Sequence, residues 1–111
     1  MVNYKIVIVE EAKLDFITAL NWYKSIQPRL GDTFSNSFKE SLKIIKSNPL
    51  LFQIRYDKTR VALIENFPYL IHFNSYDNII VIKAIFILQE ILKYGLKVIK
   101  ISKTIIFVLN K

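Results

Sequence analysis

Residues 52–87 read FQIRYDKTRVALIENFPYLIHFNSYDNIIVIKAIFI, and this stretch decides the fold. Apolar residues recur in it with a period of two. The runs are broken at Asp57-Lys58, at Phe67-Pro68 and at Asp77-Asn78, residue pairs that favour turns. The pattern predicts strands near 52–56, 60–66, 69–76 and 79–87. Strands joined by such short connections pair with their sequence neighbours, so an antiparallel meander is expected.

Upstream of the meander the period changes. Residues 4–9, YKIVIV, alternate and are rich in Ile and Val, which predicts a first strand. Glu10 and Glu11 then suit the positive end of a helix dipole. Ala12, Phe16, Ala19, Leu20 and Tyr23 recur at spacings of three and four, giving one buried helical stripe, and Pro28 ends or kinks that helix. Gly31 and Asp32 lead into a second helix with Phe34, Phe38, Leu42 and Ile45 on one face, stopped by Asn48-Pro49. Two helices joined this closely form an antiparallel hairpin, which covers one face of the sheet. The expected class is α+β: strand, helix hairpin, meander.

One sheet face is then left open for function. Alternation puts Arg60, Ala62 and Ile64 on one side and Val61, Leu63 and Glu65 on the other; it also separates His72 from Ile71 and Phe73, and Lys83 from Ile82 and Ala84. If the helices take the more apolar side, Arg55, Arg60, His72 and Lys83 converge on the open one. Each has a plainer reading. Arg55 and Arg60 flank a turn and serve equally as solvated hairpin ends, a His within an apolar strand is commonly a hydrogen-bonded structural residue, and Tyr56, Tyr69 and Tyr76 are as suited to packing as to proton donation. Arg60 begins its strand, where a long side chain reaches solvent, so it is expected to serve a target more than the fold.

Composition narrows the classes further. Hydrophobic residues make up 52% of the 111 and aromatics 14%, enough for a single folded domain. The formal net charge is +7, which favours nucleic acid or an acidic protein as partner. With no cysteine and His72 as the single histidine, disulfides and thiolate sites are excluded and neither a metal nor a cofactor is expected. No window reaches the roughly 18 to 20 apolar residues of a membrane span, because Lys83, Gln89 and Glu90 divide the most apolar stretch. The opening MVNYKIVIVEEA has too short an apolar run for a secretory signal, so a cytoplasmic protein is expected. Phosphate loops, nucleophile elbows and HExxH are all missing, so an enzyme built here works by cations and proton donors, as in RNA cleavage.

Taken together, Trp22-Tyr23, Leu30-Gly31, Phe34, Asn48-Pro49, the run Phe52 to Tyr56, Arg60 and the run Phe67 to His72 form a familiar pattern. Over residues 4–86 the chain resembles the RelE/ParE toxins of type II toxin–antitoxin systems, especially the small plasmid-stabilisation type common in Bacteroidetes. The resemblance implies a toxin neutralised by a cognate antitoxin, acting either on DNA gyrase or, with the ribosome, as an mRNA endonuclease. RNA-cleaving members carry two basic residues on the middle strand, an Arg opening the next strand, and an Arg and a Tyr near the C-terminus. Arg60 matches the first of these positions, whereas Ala62 stands at the second and Leu70 at the third; the last pair has no counterpart. A non-enzymatic, gyrase-binding toxin with Arg55, Lys58, Arg60 and Lys83 as binding residues is therefore the leading expectation; the endonuclease is the alternative.

A toxin domain is expected over 1–86, followed by an atypical tail over 87–111 dominated by Ile, Leu and Lys. The family's usual ending, roughly His-x-Ser/Ala-Arg-Asn/Asp-Pro-x-x-Trp, is missing after Phe86. One allowed coding of Phe86 to Gly95, read from its third base, gives His-Ile-Ala-Arg-Asn-Pro-Lys-Ile-Trp. A shift of reading frame near Phe86 accounts for both facts and implies a decayed, weakened toxin. The segment LKVIKISKTIIFVL then has the character of an aggregation-prone strand.

Overall fold

The computed structural model describes residues 3–87 throughout and, beyond them, the backbone of residues 96–101 and 104–109. The chain order is β1 (Lys5–Ile8), α1 (Glu10–Ile26), α2 (Pro28–Ser47), a 3-10 turn (Pro49–Leu51), β2 (Ile54–Tyr56), β3 (Thr59–Leu63), β4 (Tyr69–Tyr76), β5 (Ile79–Ile87), β6 (Leu96–Ile101) and β7 (Thr104–Leu109). The first five strands form one sheet in the order β1-β5-β4-β3-β2, and β6 pairs with β7 in a separate two-stranded sheet. No described helix is long and apolar enough to cross a membrane.

The meander is antiparallel as its turns require. Asp57 and Asp77 take positive φ, 48° and 44°, a left-handed conformation that Asp tolerates because its short side chain bonds nearby backbone. β1, in contrast, runs parallel to β5, with Lys5 opposite Ile79 and Ile8 opposite Ile82. A parallel pair needs a long crossover, and the helix hairpin supplies it.

The second helix starts earlier than its apolar stripe implies. Gln27 alone separates the helices, extended at φ −161° and ψ 127°, and Pro28 opens α2. Proline disfavours helical geometry in the residue before it and has the φ of a first helical position, so Gln27-Pro28 ends one helix and begins the next. Gly31 consequently lies inside α2 and does not precede it. An added Cβ there would stand 2.4 Å from Lys24 Cγ, so glycine lets the two helices approach where they diverge.

Both helices lie on one sheet face. Phe34, fully buried, meets Phe16, Tyr23, Phe67 and Tyr69 ring to ring, with centroids 5.0–5.7 Å apart. Phe38 and Ile45 continue the α2 stripe into the cluster formed with Ala62, Ile71, Phe73, Ile80, Ile82 and Ile85. Asp15 closes a gap in this layer: β1 ends opposite Ile82, and the Ile85 N–H beyond it donates to Asp15 Oδ2 at 3.0 Å. An unpaired backbone donor at that sheet edge is thereby satisfied.

Two strand limits differ from expectation. β2 begins at Ile54, because Phe52 follows the 3-10 turn, and β3 ends at Leu63 where the expected strand ran to residue 66. Ile64 is instead buried in a turn whose N–H bonds the Tyr69 carbonyl, and Asn66 reverses the chain at φ 70°.

Candidate functional site

Register sorts the side chains of the sheet. Ala62, Ile71 and Ile85 are successive cross-strand partners, as are Arg60, Phe73 and Ile82; Val61, His72 and Ala84 form the row between them. The first two rows carry core residues, so they face the helices, and the His72 row faces away.

A bulge interrupts the alternation next to His72. His72 pairs with Ala84 and Phe73 with Ile82, which leaves Lys83 as an extra residue on β5. Strict alternation separates Lys83 from Ala84. The bulge turns Lys83 to the side away from the helices, where its Nζ donates to Thr59 Oγ1 at 2.9 Å and lies 5.5 Å from the centre of the Tyr56 ring.

Lys83 belongs to a polar cluster on that face. Thr59 Oγ1 donates to Asn74 Oδ1 at 2.9 Å, and Asn74 Nδ2 donates to Tyr76 OH at 2.8 Å. The Tyr56 hydroxyl and His72 Nδ1 share a hydrogen bond of 2.9 Å, while the Phe86 ring meets the imidazole edge to face at 4.7 Å. Thr59, His72 and Asn74 are buried; Tyr56 and Lys83 are half-buried above them. Burial raises the Tyr56 phenol above its usual pKa of 10.0, opposed by a hydrogen bond with Thr59 and reinforced by the Asp57 carboxylate. The phenol is protonated at neutral pH, and burial extends that state further into the alkaline range.

Of the four residues expected to converge, the structure brings His72 and Lys83 together and sends Arg60 elsewhere. Arg60 pairs with the buried Phe73, on the helix side, and its Nη1 donates to the Phe52 carbonyl at 2.6 Å. It pins the segment between the 3-10 turn and β2. The alternation that groups Arg60 with Ala62 and Ile64 already assigns it to the apolar side. Arg55 is exposed on β2, and Lys58 is exposed in the following turn. Tyr69 packs on Tyr23 and Phe34 in the core, whereas Tyr56 and Tyr76 join the cluster.

Thr59 and Asn74 were not among the candidates. Their signal is a polar residue within an apolar strand, which burial permits only with hydrogen-bond partners. Chemically the face offers one ammonium, whose three donors include the one given to Thr59, beside a phenol and an imidazole joined by a hydrogen bond. The ammonium is the group of this set that suits an acceptor or an anion. Among the described residues no group of three His, Cys, Asp or Glu side chains stands ready for a metal ion.

Among solved structures, the chain is similar to one from the chromosomal ParDE toxin–antitoxin (TA) system of P. aeruginosa, with a TM-score of 0.69 over 78% of this chain and 97% of that one. The two are 14% identical. No family model and no curated protein matches the sequence. The likeness is one of fold: N-terminal strand, helix hairpin and meander form the RelE/ParE-like architecture.

Proposed function

We propose that this chain is the toxin of a type II toxin–antitoxin pair, neutralised by a cognate antitoxin and acting by binding a large target such as DNA gyrase. The fold shared with a chain of a ParDE system supports the toxin–antitoxin reading, and the charge of +7 supports an acidic or polyanionic partner. The observation that carries the choice of mechanism is the position of Arg60. A nuclease of this architecture needs several cations around the scissile phosphate, and loss of one such electrostatic group costs on the order of a hundredfold in rate. Here Arg60 is spent on the Phe52 carbonyl, and Lys83 is the cation joined to the polar cluster on the sheet face away from the helices. Binding requires shape and surface charge, which Arg55, Lys58 and Lys83 supply.

Co-expression with the neighbouring gene product followed by pull-down tests the pairing: a stable complex is expected, and no interaction at micromolar concentration removes the reading. Purified toxin should inhibit gyrase supercoiling and leave a reporter mRNA intact in a translating extract. The endonuclease is the second reading, because Tyr56, His72 and Lys83 lie together on one face. Cleavage of the reporter that disappears in Lys83→Met would favour it.

The division at Phe86 belongs to the same proposal. Residues 1–86 act as the toxin domain, and the tail over 87–111 arises from a shifted frame and weakens the toxin. Residues 88–95, where the alternative frame would place its Arg-Asn-Pro run, lie outside the described residues. Codons at Phe86 to Gly95 that do not encode such a run would sink this idea.

A further inference from the structure

The end of α2 and the turn after it carry large apolar side chains that the domain does not cover. Leu51 is 79% exposed, and Ile44, Leu50 and Ile54 are 49–61% exposed. Single exposed aliphatic residues are ordinary on a protein, whereas several sharing one surface mark a contact site.

Topology brings these four together. α1 packs over β5 and α2 over β3, so the flank of α2 turned from α1 looks toward the β2 edge of the sheet. Ile44 takes that flank: it lies about 140° around the helix from Gly31, the residue that approaches Lys24 of α1. The chain leaves α2 at Asn48, and Leu50-Leu51 follow in the 3-10 turn behind the buried Pro49. Phe52 then packs on Phe73 and its carbonyl accepts from Arg60, while Ile54 is the cross-strand partner of Arg60 on the face toward the helices. Ile44 on the helix and Ile54 on the sheet edge therefore flank one apolar surface, with Leu50 and Leu51 at the turn that joins them.

Charge tells what covers it. Lys46 in the last turn of α2, Arg55 on β2 and Lys58 in the next turn are exposed cations, and from Ile44 to Lys58 the one acidic residue is Asp57. A second copy of the chain would set these cations against one another. Single-stranded nucleic acid would meet the cations, but its bases stack on aromatic rings and gain little from Ile and Leu. A protein segment with apolar and acidic residues satisfies both parts of the surface. As a strand it would find a poor template, because β2 has three residues and a bulge between Ile54 and Tyr56, a device that spoils an edge for pairing. As a helix it lays residues i, i+3, i+4 and i+7 on the apolar surface and keeps its acidic residues along the flanks.

We propose that this surface docks an acidic amphipathic helix of a partner protein, its apolar stripe on Ile44, Leu50, Leu51 and Ile54 and its carboxylates toward Lys46 and Lys58. Docking of this kind stands on exposure, topology and charge and is independent of toxicity.

Fluorescence anisotropy with the full chain is the test. The probe is a labelled helical peptide with leucines at i, i+3, i+4 and i+7 and glutamates on both flanks; the control has lysine in place of each glutamate. The acidic peptide should bind about tenfold or more tighter than the basic one, and its affinity should fall about tenfold in Leu51→Asp and again in Lys58→Glu. Both substitutions lie at exposed positions, so the far-ultraviolet circular dichroism should be retained, and Lys58→Glu serves alone if Leu51→Asp fails to fold. Equal affinity for the two peptides, no binding of the acidic one at millimolar concentration, or an affinity that neither substitution changes overturns the proposal. So does a dimer in sedimentation equilibrium that Leu51→Asp dissolves, which would make the surface a contact between copies. Binding to phosphatidylglycerol vesicles without binding to the acidic peptide would make it a lipid site and overturn the proposal as well.

Discussion

Replacing Arg60 with Ala separates a structural role from a functional one at the residue where the two readings conflict. The guanidinium is half-buried and donates to the Phe52 carbonyl at 2.6 Å across eight positions of sequence. A net hydrogen bond from a charged group contributes about 1.5–3 kcal/mol, and the carbonyl it leaves is partly withdrawn from water. Taking about 2 kcal/mol, and a shift of roughly 4–8 °C per kcal/mol for a domain of this size, the thermal midpoint should fall by roughly 8–16 °C. Arg60→Met retains the aliphatic stem and removes the donor, so it should recover the packing part of the loss and leave most of the hydrogen-bond part. Differential scanning calorimetry with urea unfolding at neutral pH reads both. A midpoint unchanged by Arg60→Ala, together with lost toxicity, would refute this reasoning and restore Arg60 as a surface residue that serves a target.

Phe34→Ala opens a cavity beneath four aromatic rings and should cost about 3–5 kcal/mol in urea unfolding, a large part of the stability of a small domain. Thr59→Val strands Asn74 Oδ1 and releases Lys83 Nζ, so a loss of about 1–3 kcal/mol is expected, in contrast to the small effect of an isosteric change at an exposed threonine. Tyr56 and Tyr23 both have a raised folded pKa; their contribution to stability is fully present below pH 10.0 and is lost as pH rises through the folded values, because the unfolded chain releases those protons first. Alkaline unfolding followed by phenolate absorbance should therefore begin at higher pH in Tyr56→Phe; identical curves would dispose of this account. Gly31→Ala sets the helix propensity of alanine, worth about 0.8–1 kcal/mol, against displacement of the exposed Lys24 side chain, and a net change below about 1 kcal/mol is expected.

The strands that carry the site were legible because their turns are. Asp77-Asn78 and Phe67-Pro68 bound β4 and β5 at the limits their alternation implies, and the Phe34, Phe38 and Ile45 stripe identifies the helix face directly. What escaped were features set by more than one strand. A one-residue bulge at Lys83 has no local signature; it is defined by the offset of β5 against β4, and it decides which face the lysine reaches. The hydrogen bond from Arg60 likewise joins residues eight apart around a turn, a contact that periodicity does not encode. Thr59 and Asn74 were overlooked because a lone polar residue in a strand reads as solvent-facing until its partners are known.

The parallel pairing of β1 with β5 has a kinetic consequence. The first strand to be synthesised finds its partner only in the last strand of the same sheet, so during translation Lys5–Ile8 stays an unpaired apolar segment until Ile79–Ile82 has emerged. The helix hairpin and the β2–β4 meander consist of local contacts and form early, whereas closure of the sheet waits on the most distant contact in the domain. Parallel, long-range pairing of this kind is slow and exposes intermediates to aggregation. Cutting β1 away would therefore leave the helices and meander to collapse at their usual speed while removing the step that limits arrival at the native state.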